Sequence, residues 1–311
     1  MNRRQWIQSA FAGSLSIATS NSLGQAIKPS RVIDTHTHFY DPRRPQGVPW
    51  PKENTPLYRT VLPPDWMALA EPLGIRETIV VEASPWVEDN QWILDLASNH
   101  ACIIGFVGNL DPNDPAFRSN LKRFSATPIF RGVRWRGDLV KLDASQDQVL
   151  SGARSLAEHD LELDLNGPSS TLPQVEKLAQ AIPSLRIVIN HVGGAGDPQK
   201  LKPEWQAHIQ AVAQCPNVFM KVSGMPEQTR PEDGNTPQDL SYYLPVLEHL
   251  WSHFGPDRLI YGSNWPVSDR GLPYASVFKL VSDFFQSKGA EATEKYFWRN
   301  SQTAYRWKER T

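Results

Sequence analysis

The sequence predicts an α/β chain folded as one (β/α)8 TIM barrel, and three observations carry that prediction. From Arg31 onward, eight short runs rich in β-branched residues alternate with amphipathic stretches, the pattern of strands joined by helices into a parallel sheet. Turn-forming clusters stand where strands would hand over to loops: Asp111-Pro112-Asn113-Asp114-Pro115, Asn166-Gly167-Pro168 and Gly193-Gly194-Ala195-Gly196. No GxGxxG loop follows the first run, which leaves a doubly wound open sheet as the runner-up. The length of 311 residues would hold two average domains, but a barrel uses about 250 residues as a single unit.

The strand-like runs are 32–35, 78–82, 103–107, 130–135, 161–165, 186–190, 218–222 and 259–262. After the seventh, Tyr243, Leu247, Leu250, Trp251 and Phe254 recur at spacings of three and four, which puts them on one helical face. Between Asp89 and Ala101, Trp92, Leu94, Leu96 and Ala97 mark a second helix less cleanly.

In a barrel of this kind the chemistry sits at the C-terminal ends of the strands. The first run ends Asp34-Thr35-His36-Thr37-His38; residues two apart share a strand face, so His36 and His38 project together into the mouth. The second ends in Glu82, a carboxylate at the end of an apolar strand. It is read either as a desolvated acid suited to proton transfer or as the partner of an arginine. The fourth offers Arg131 on one face or Arg134 with Arg136 on the other, forks for a carboxylate. In the fifth, Leu161, Leu163 and Leu165 face the helix layer and turn Glu162, Asp164 and Asn166 inward, with Asp164 and Asn166 nearer the mouth. The sixth adds His191, the seventh Lys221 and Ser223, and the eighth Ser263-Asn264-Trp265-Pro266, with Asp269 just beyond.

Composition narrows the partners. With 32 Lys+Arg against 33 Asp+Glu, the chain has no field to gather nucleic acid or an anionic membrane surface, and no apolar run approaches a membrane span. The expected partner is a small molecule, and the oligomeric state stays open. Cys102 and Cys215 are read as buried thiols. The 11 tryptophans and 26 prolines are unusual. Trp50, Trp86, Trp135 and Trp265 fall near the rim, and the Pro-rich stretch 41–56 is long enough for a pocket wall.

Residues 1–26 resemble a bacterial twin-arginine export signal: Arg3-Arg4, then Trp6-Ile7, a modest apolar stretch and small residues before Ile27. Trp6 and Gln8 replace the usual Phe and Lys. The expectation is an exported, periplasmic protein of a Gram-negative-type bacterium, with residues 27–311 forming the single barrel domain.

Five segments carry a family resemblance: Ile33-Asp34-Thr35-His36-Thr37-His38-Phe39-Tyr40-Asp41-Pro42, Arg131-Gly132-Val133-Arg134, Asn190-His191-Val192-Gly193, Lys221-Val222-Ser223-Gly224, and Asp257 through Gly262-Ser263-Asn264-Trp265-Pro266-Val267. Together they resemble the amidohydrolase-related barrel hydrolases, nearest the branch of L-fuconolactonase and 2-pyrone-4,6-dicarboxylate lactonase. The resemblance implies lactone hydrolysis, with a metal-dependent decarboxylase or amidohydrolase, or a barrel that binds without catalysis, as alternatives. It also implies an Asp where Asn264 stands, the metal ligand or water-activating base of the family. An amide cannot take up a proton at neutral pH and is a poor metal ligand. The expected catalytic set is therefore His36, His38, Glu82, His191, Asn264 and Asp269, with Glu82 as substitute base and Asp269 second. Trp50, Trp86, Arg134, Asp164, Asn166, Lys221 and Trp265 are the expected substrate-binding residues. No cofactor is required on this reading; a divalent ion, Zn or Mn, held by His36, His38 and His191, is the alternative.

Overall fold

The computed structural model describes residues 28–137, 146–229 and 235–310; the expected export signal lies outside them. Eight parallel strands run in sequence order around one sheet: β1 Ile33–Thr37, β2 Glu77–Val81, β3 Ile103–Gly108, β4 Phe130–Arg136, β5 Glu162–Asn166, β6 Ile187–Ile189, β7 Val218–Val222 and β8 Leu259–Tyr261. Each strand leads into helix. The first six crossovers hold α1 Pro63–Ala70, α2 Glu88–Asn99, α3 Phe117–Ser125, α4 Gln146–Glu158, α5 Leu172–Ala181 and α6 Pro203–Val212. The seventh holds a short α7, Met225–Gln228, and the long α8, Leu240–Phe254; α9 Tyr274–Ser287, α10 Ala290–Glu294 and α11 Asn300–Tyr305 follow β8.

The ring closes between the first and last strands. Asn264 N–H donates to the His36 carbonyl and His38 N–H to the Trp265 carbonyl, both at 2.9 Å, and Thr37 pairs with Trp265 as a parallel bridge. Buried Asp34 fastens the seam from inside, accepting from the Ser263 N–H at 2.8 Å and the Tyr274 hydroxyl at 3.0 Å.

Strand alternation decides what goes where. On β5, Leu163 and Leu165 pack in the layer between sheet and helices, while Glu162 and Asp164 are buried inside the ring. The lower interior is apolar, filled by Ile33, Ile79, Ile104, Val188, Phe219 and Ile260, and Tyr305 and Trp307 plug it from below. Helix faces follow the sequence pattern: Tyr243, Leu247, Leu250 and Phe254 of α8 are buried, whereas Trp251 is only partly so. In α2 the buried positions are Asn90, Ile93, Leu94 and Ala97, while Trp92 and Leu96 sit at the edge of the contact.

Gly132 on β4 is set by space. A Cβ there would come within 2.1 Å of Glu162 Oε1, inside a close-packed barrel. Gly132→Ala is expected to destabilise the fold by about 1–3 kcal/mol, the usual cost of overpacking. A chemical denaturation midpoint equal to that of the parent chain would contradict this.

Candidate active site

The C-terminal mouth of the barrel opens into a cavity of about 600 Å³, a size suited to a small molecule. His38 and Trp50 line it beyond β1, Glu82 beyond β2, and Arg134 and Arg136 on β4. Asn166, His191, Glu227 and Asn264 complete the opposite wall, with Arg270 at the rim.

Three imidazoles meet at the floor. The His36 ring lies 4.9 Å from that of His38 and 4.5 Å from that of His191, centre to centre. His38 Nδ1 stands 2.9 Å from the Val81 carbonyl; a carbonyl only accepts, so the hydrogen is on Nδ1 and Nε2 carries the lone pair. Burial, then the Arg134 charge, pushes His38 down to about 3, so it is neutral near pH 7. Burial likewise lowers His36, with Lys221 the next cause, and His191, with Arg134 the next. His191 and Val192 both adopt left-handed backbone, at φ 53° and 50°, and Asn264 does so at 62°, conformations that non-glycine residues hold only where the surroundings impose them.

Below the floor lies a buried ion pair. Lys221 Nζ is 2.8 Å from Asp164 Oδ2, and neither side chain is exposed to solvent. The same nitrogen stands 3.2 Å from His36 Nδ1. An ammonium only donates, so it fixes the His36 hydrogen on Nε2, an atom that is buried without a partner. Tyr305, rising from the barrel bottom, donates to Asp164 Oδ1 at 2.9 Å.

Several expected residues have different surroundings from those the sequence suggested. Glu82 is at the mouth, but Arg134 Nε donates to its Oε1 and Arg134 Nη2 to its main-chain carbonyl, both at 2.8 Å. It is the arginine-paired acid rather than the lone desolvated one. Asp269 is exposed and faces Arg59 at 3.7 Å. Trp86 points to solvent, and Trp265 is buried in the core rather than against the cavity. Asp164 and Lys221 hold the floor from beneath and do not line the cavity, and His36 also lies under its surface. Arg131 turns to the other end of the barrel and donates to the Arg306 carbonyl, which resolves the arginine alternatives in favour of Arg134 and Arg136.

The residue that sequence reasoning missed is Glu227. It sits on α7, partly buried at the cavity wall, and its Oε1 accepts from Asn264 Nδ2 at 2.5 Å. Its second oxygen, Oε2, is buried without a partner. Burial raises this carboxyl to about 7, against the lowering effect of the Asn264 hydrogen bond. Gly224 makes the placement possible: at φ +69°, a Cβ there would meet the His191 ring at 2.9 Å. The signal in the sequence was the departure itself, since an amide at position 264 can hold an acid that reaches it from another strand end.

A parallel barrel with imidazoles, a guanidinium and a desolvated carboxyl gathered at its C-terminal mouth defines a barrel enzyme acting on small molecules. The chain belongs to the amidohydrolase family Amidohydro_2, whose model matches residues 33–307. It is 32% identical over 239 residues to an L-fucono-1,5-lactonase of Burkholderia ambifaria, covering 76% of this chain and 80% of that one. An L-fucono-1,5-lactonase of Burkholderia multivorans is 26% identical over 275 residues, covering 86% and 92%. Among solved structures, a zinc-bound amidohydrolase from Burkholderia multivorans superposes with a TM-score of 0.81 at 24% identity, covering 90% of this chain and all of that one.

That zinc belongs to the relative. Among the described residues, no three His, Cys, Asp or Glu side chains converge on a point that could hold a metal ion. His36 turns an N–H rather than a lone pair upward, position 264 offers an amide, and Lys221 and Arg134 bring positive charge to the cluster. A tightly held divalent ion calls for deprotonated ligands and, with neutral imidazoles, gains from a carboxylate.

Proposed function

We propose that this enzyme opens a lactone, sugar-derived or carboxylated, by water attack on the ring ester carbonyl, and that it does so without a resident metal. The observation that carries the reading is the 32% identity to a lactonase across 76% of the chain; the mouth supplies chemistry of the matching kind. Arg134, Arg136 and Arg270 bring positive charge to the wall where an oxyanion, and then a product carboxylate, would form. Asn166 and Gln228 offer amide groups to ring hydroxyls, and the Trp50 side chain, edge-on to His38 at 5.8 Å, offers an apolar wall for a sugar ring. The neutral imidazoles accept or donate hydrogen bonds without adding charge.

The test is proton release from a panel of aldono-1,5- and aldono-1,4-lactones, L-fucono-1,5-lactone among them, beside lactones bearing a ring carboxylate. Turnover of at least one class above the spontaneous rate is expected, and silence across the panel would refute the reading. Dialysis against EDTA is expected to leave kcat within twofold, and a stoichiometric activating ion recovered in the dialysate would refute the metal-free part. The proposal includes export, supported by Arg3-Arg4 and the apolar stretch that follows; fractionation of cells producing the full chain tests it.

A further inference from the structure

We propose that Glu227, presented by α7 and held by the Asn264 amide, is the catalytic base that activates the attacking water. The assignment rests on the lactonase reading and goes beyond it by naming the group that takes the proton. Three observations support it. Glu227 lines the cavity wall together with His38, His191 and Asn264. One of its oxygens is fixed by the Asn264 amide, while Oε2 is buried with no partner; its lone pairs are uncommitted, and a turn of the side chain toward the cavity that Glu227 lines would offer them to a water. Both acids suggested by the sequence, by contrast, face arginines, Glu82 with Arg134 and Asp269 with Arg59.

The chemistry balances. The Glu227 carboxylate takes a proton from water as the hydroxyl oxygen bonds to the ring carbonyl carbon, whose oxygen becomes the oxyanion. Collapse restores the carbonyl and breaks the ring C–O bond, and the departing alkoxide takes the proton back from Glu227. The products are a hydroxy acid and the enzyme in its starting state. Asn264 is the positioning residue: its N–H donates to Oε1 and leaves Oε2 to the water.

The base form of a carboxyl raised to about 7 predominates above that pH. On this assignment kcat/KM rises as pH increases through about 7 and then levels off. The charged or titratable groups around Glu227 are Arg270, which lowers it, Asp269, which raises it, and Tyr243 from α8. Tyr243 is pushed upward by burial and stays neutral in this range.

The experiment measures kcat and KM for a lactone that the parent enzyme turns over, with E227Q, N264D and the E227Q/N264D double variant. Failure of the parent on every lactone refutes the lactonase reading; the base assignment is judged only on a lactone the parent does turn over. E227Q is expected to lose at least 100-fold in kcat, with KM within threefold and an unchanged melting temperature at pH 6, where the parent Glu227 is largely protonated. The double variant, which moves the carboxylate to position 264, is expected to recover at least tenfold over E227Q, which a purely structural role would not produce. Retention of more than a tenth of kcat by E227Q, a loss carried by KM, or no recovery in the double variant overturns the assignment.

Discussion

Lys221→Met is expected to destabilise the fold by roughly 3–5 kcal/mol and to lower the melting temperature by about 6–12 °C, the cost of stranding one member of a buried ion pair. The Asp164 carboxylate, fully buried, would keep the Tyr305 hydroxyl but lose its only cation within 4 Å among the described residues. Glu162 lies beside it, already pushed well above its usual range by burial and by Asp164, with Lys221 the largest opposing influence. Without the lysine, this interior holds two carboxyls opposed only by the weaker influence of Arg186, and it must take up protons to fold. Groups whose folded pKa is raised penalise the fold only at pH values where they would otherwise be ionised. The destabilisation is therefore expected to be smaller at pH 5 than at pH 8. Thermal melts at both pH values check this. An equal shift at both would mean that cavity formation, not charge, is responsible. Lys221→Met with Asp164→Leu should recover part of the loss, because replacing both members removes the stranded charge; recovery stays partial because Tyr305 loses its acceptor.

The barrel was legible in the sequence because parallel strands buried on both faces must be apolar and β-branched along their length, and all eight runs lie within two residues of the strands observed. The inward set on the strands was legible for the same geometric reason: His36, Asp164 and Lys221 occupy alternating positions whose partners face the helices. Periodicity stops at the strand ends, and the errors begin there. Trp86 and Trp265 sit in rim segments where no pattern separates a solvent-facing ring from a core ring. Glu227 lies on a four-residue helix in a stretch with further acids, Glu232 and Asp233, and nothing in that local sequence says which one turns inward. Only the Asn264 amide, reaching Glu227 across the mouth from the end of β8, picks it out, and that contact spans 37 residues of chain. The pairing of Glu82 with Arg134, 52 residues apart, is a contact of the same long-range kind.

Arg134→Ala is expected to lower kcat/KM by about 100–1000-fold, the range seen when one preorganised donor to a developing oxyanion is removed. Two effects act in the same direction. The variant removes a cation from the cavity wall, and it frees the Glu82 carboxylate, only 9% exposed, from its partner. Negative charge then stands near the place where the transition state accumulates its own. Arg134 is also the second cause, after burial, of the lowered pKa of His38 and the second for His191. Its loss would let both imidazoles rise toward their usual range, while burial continues to hold them down. Lysine at the same position separates charge from geometry. The guanidinium spans Glu82 Oε1 and the Glu82 carbonyl with two different nitrogens, and a single ammonium cannot hold both in that fixed fork. Arg134→Lys is therefore expected to recover no more than about tenfold over the alanine variant. The check is kcat/KM for both variants on a lactone that the parent enzyme hydrolyses, measured at pH 8, where Glu227 is ionised. A lysine variant indistinguishable from the parent would show that position 134 contributes charge alone.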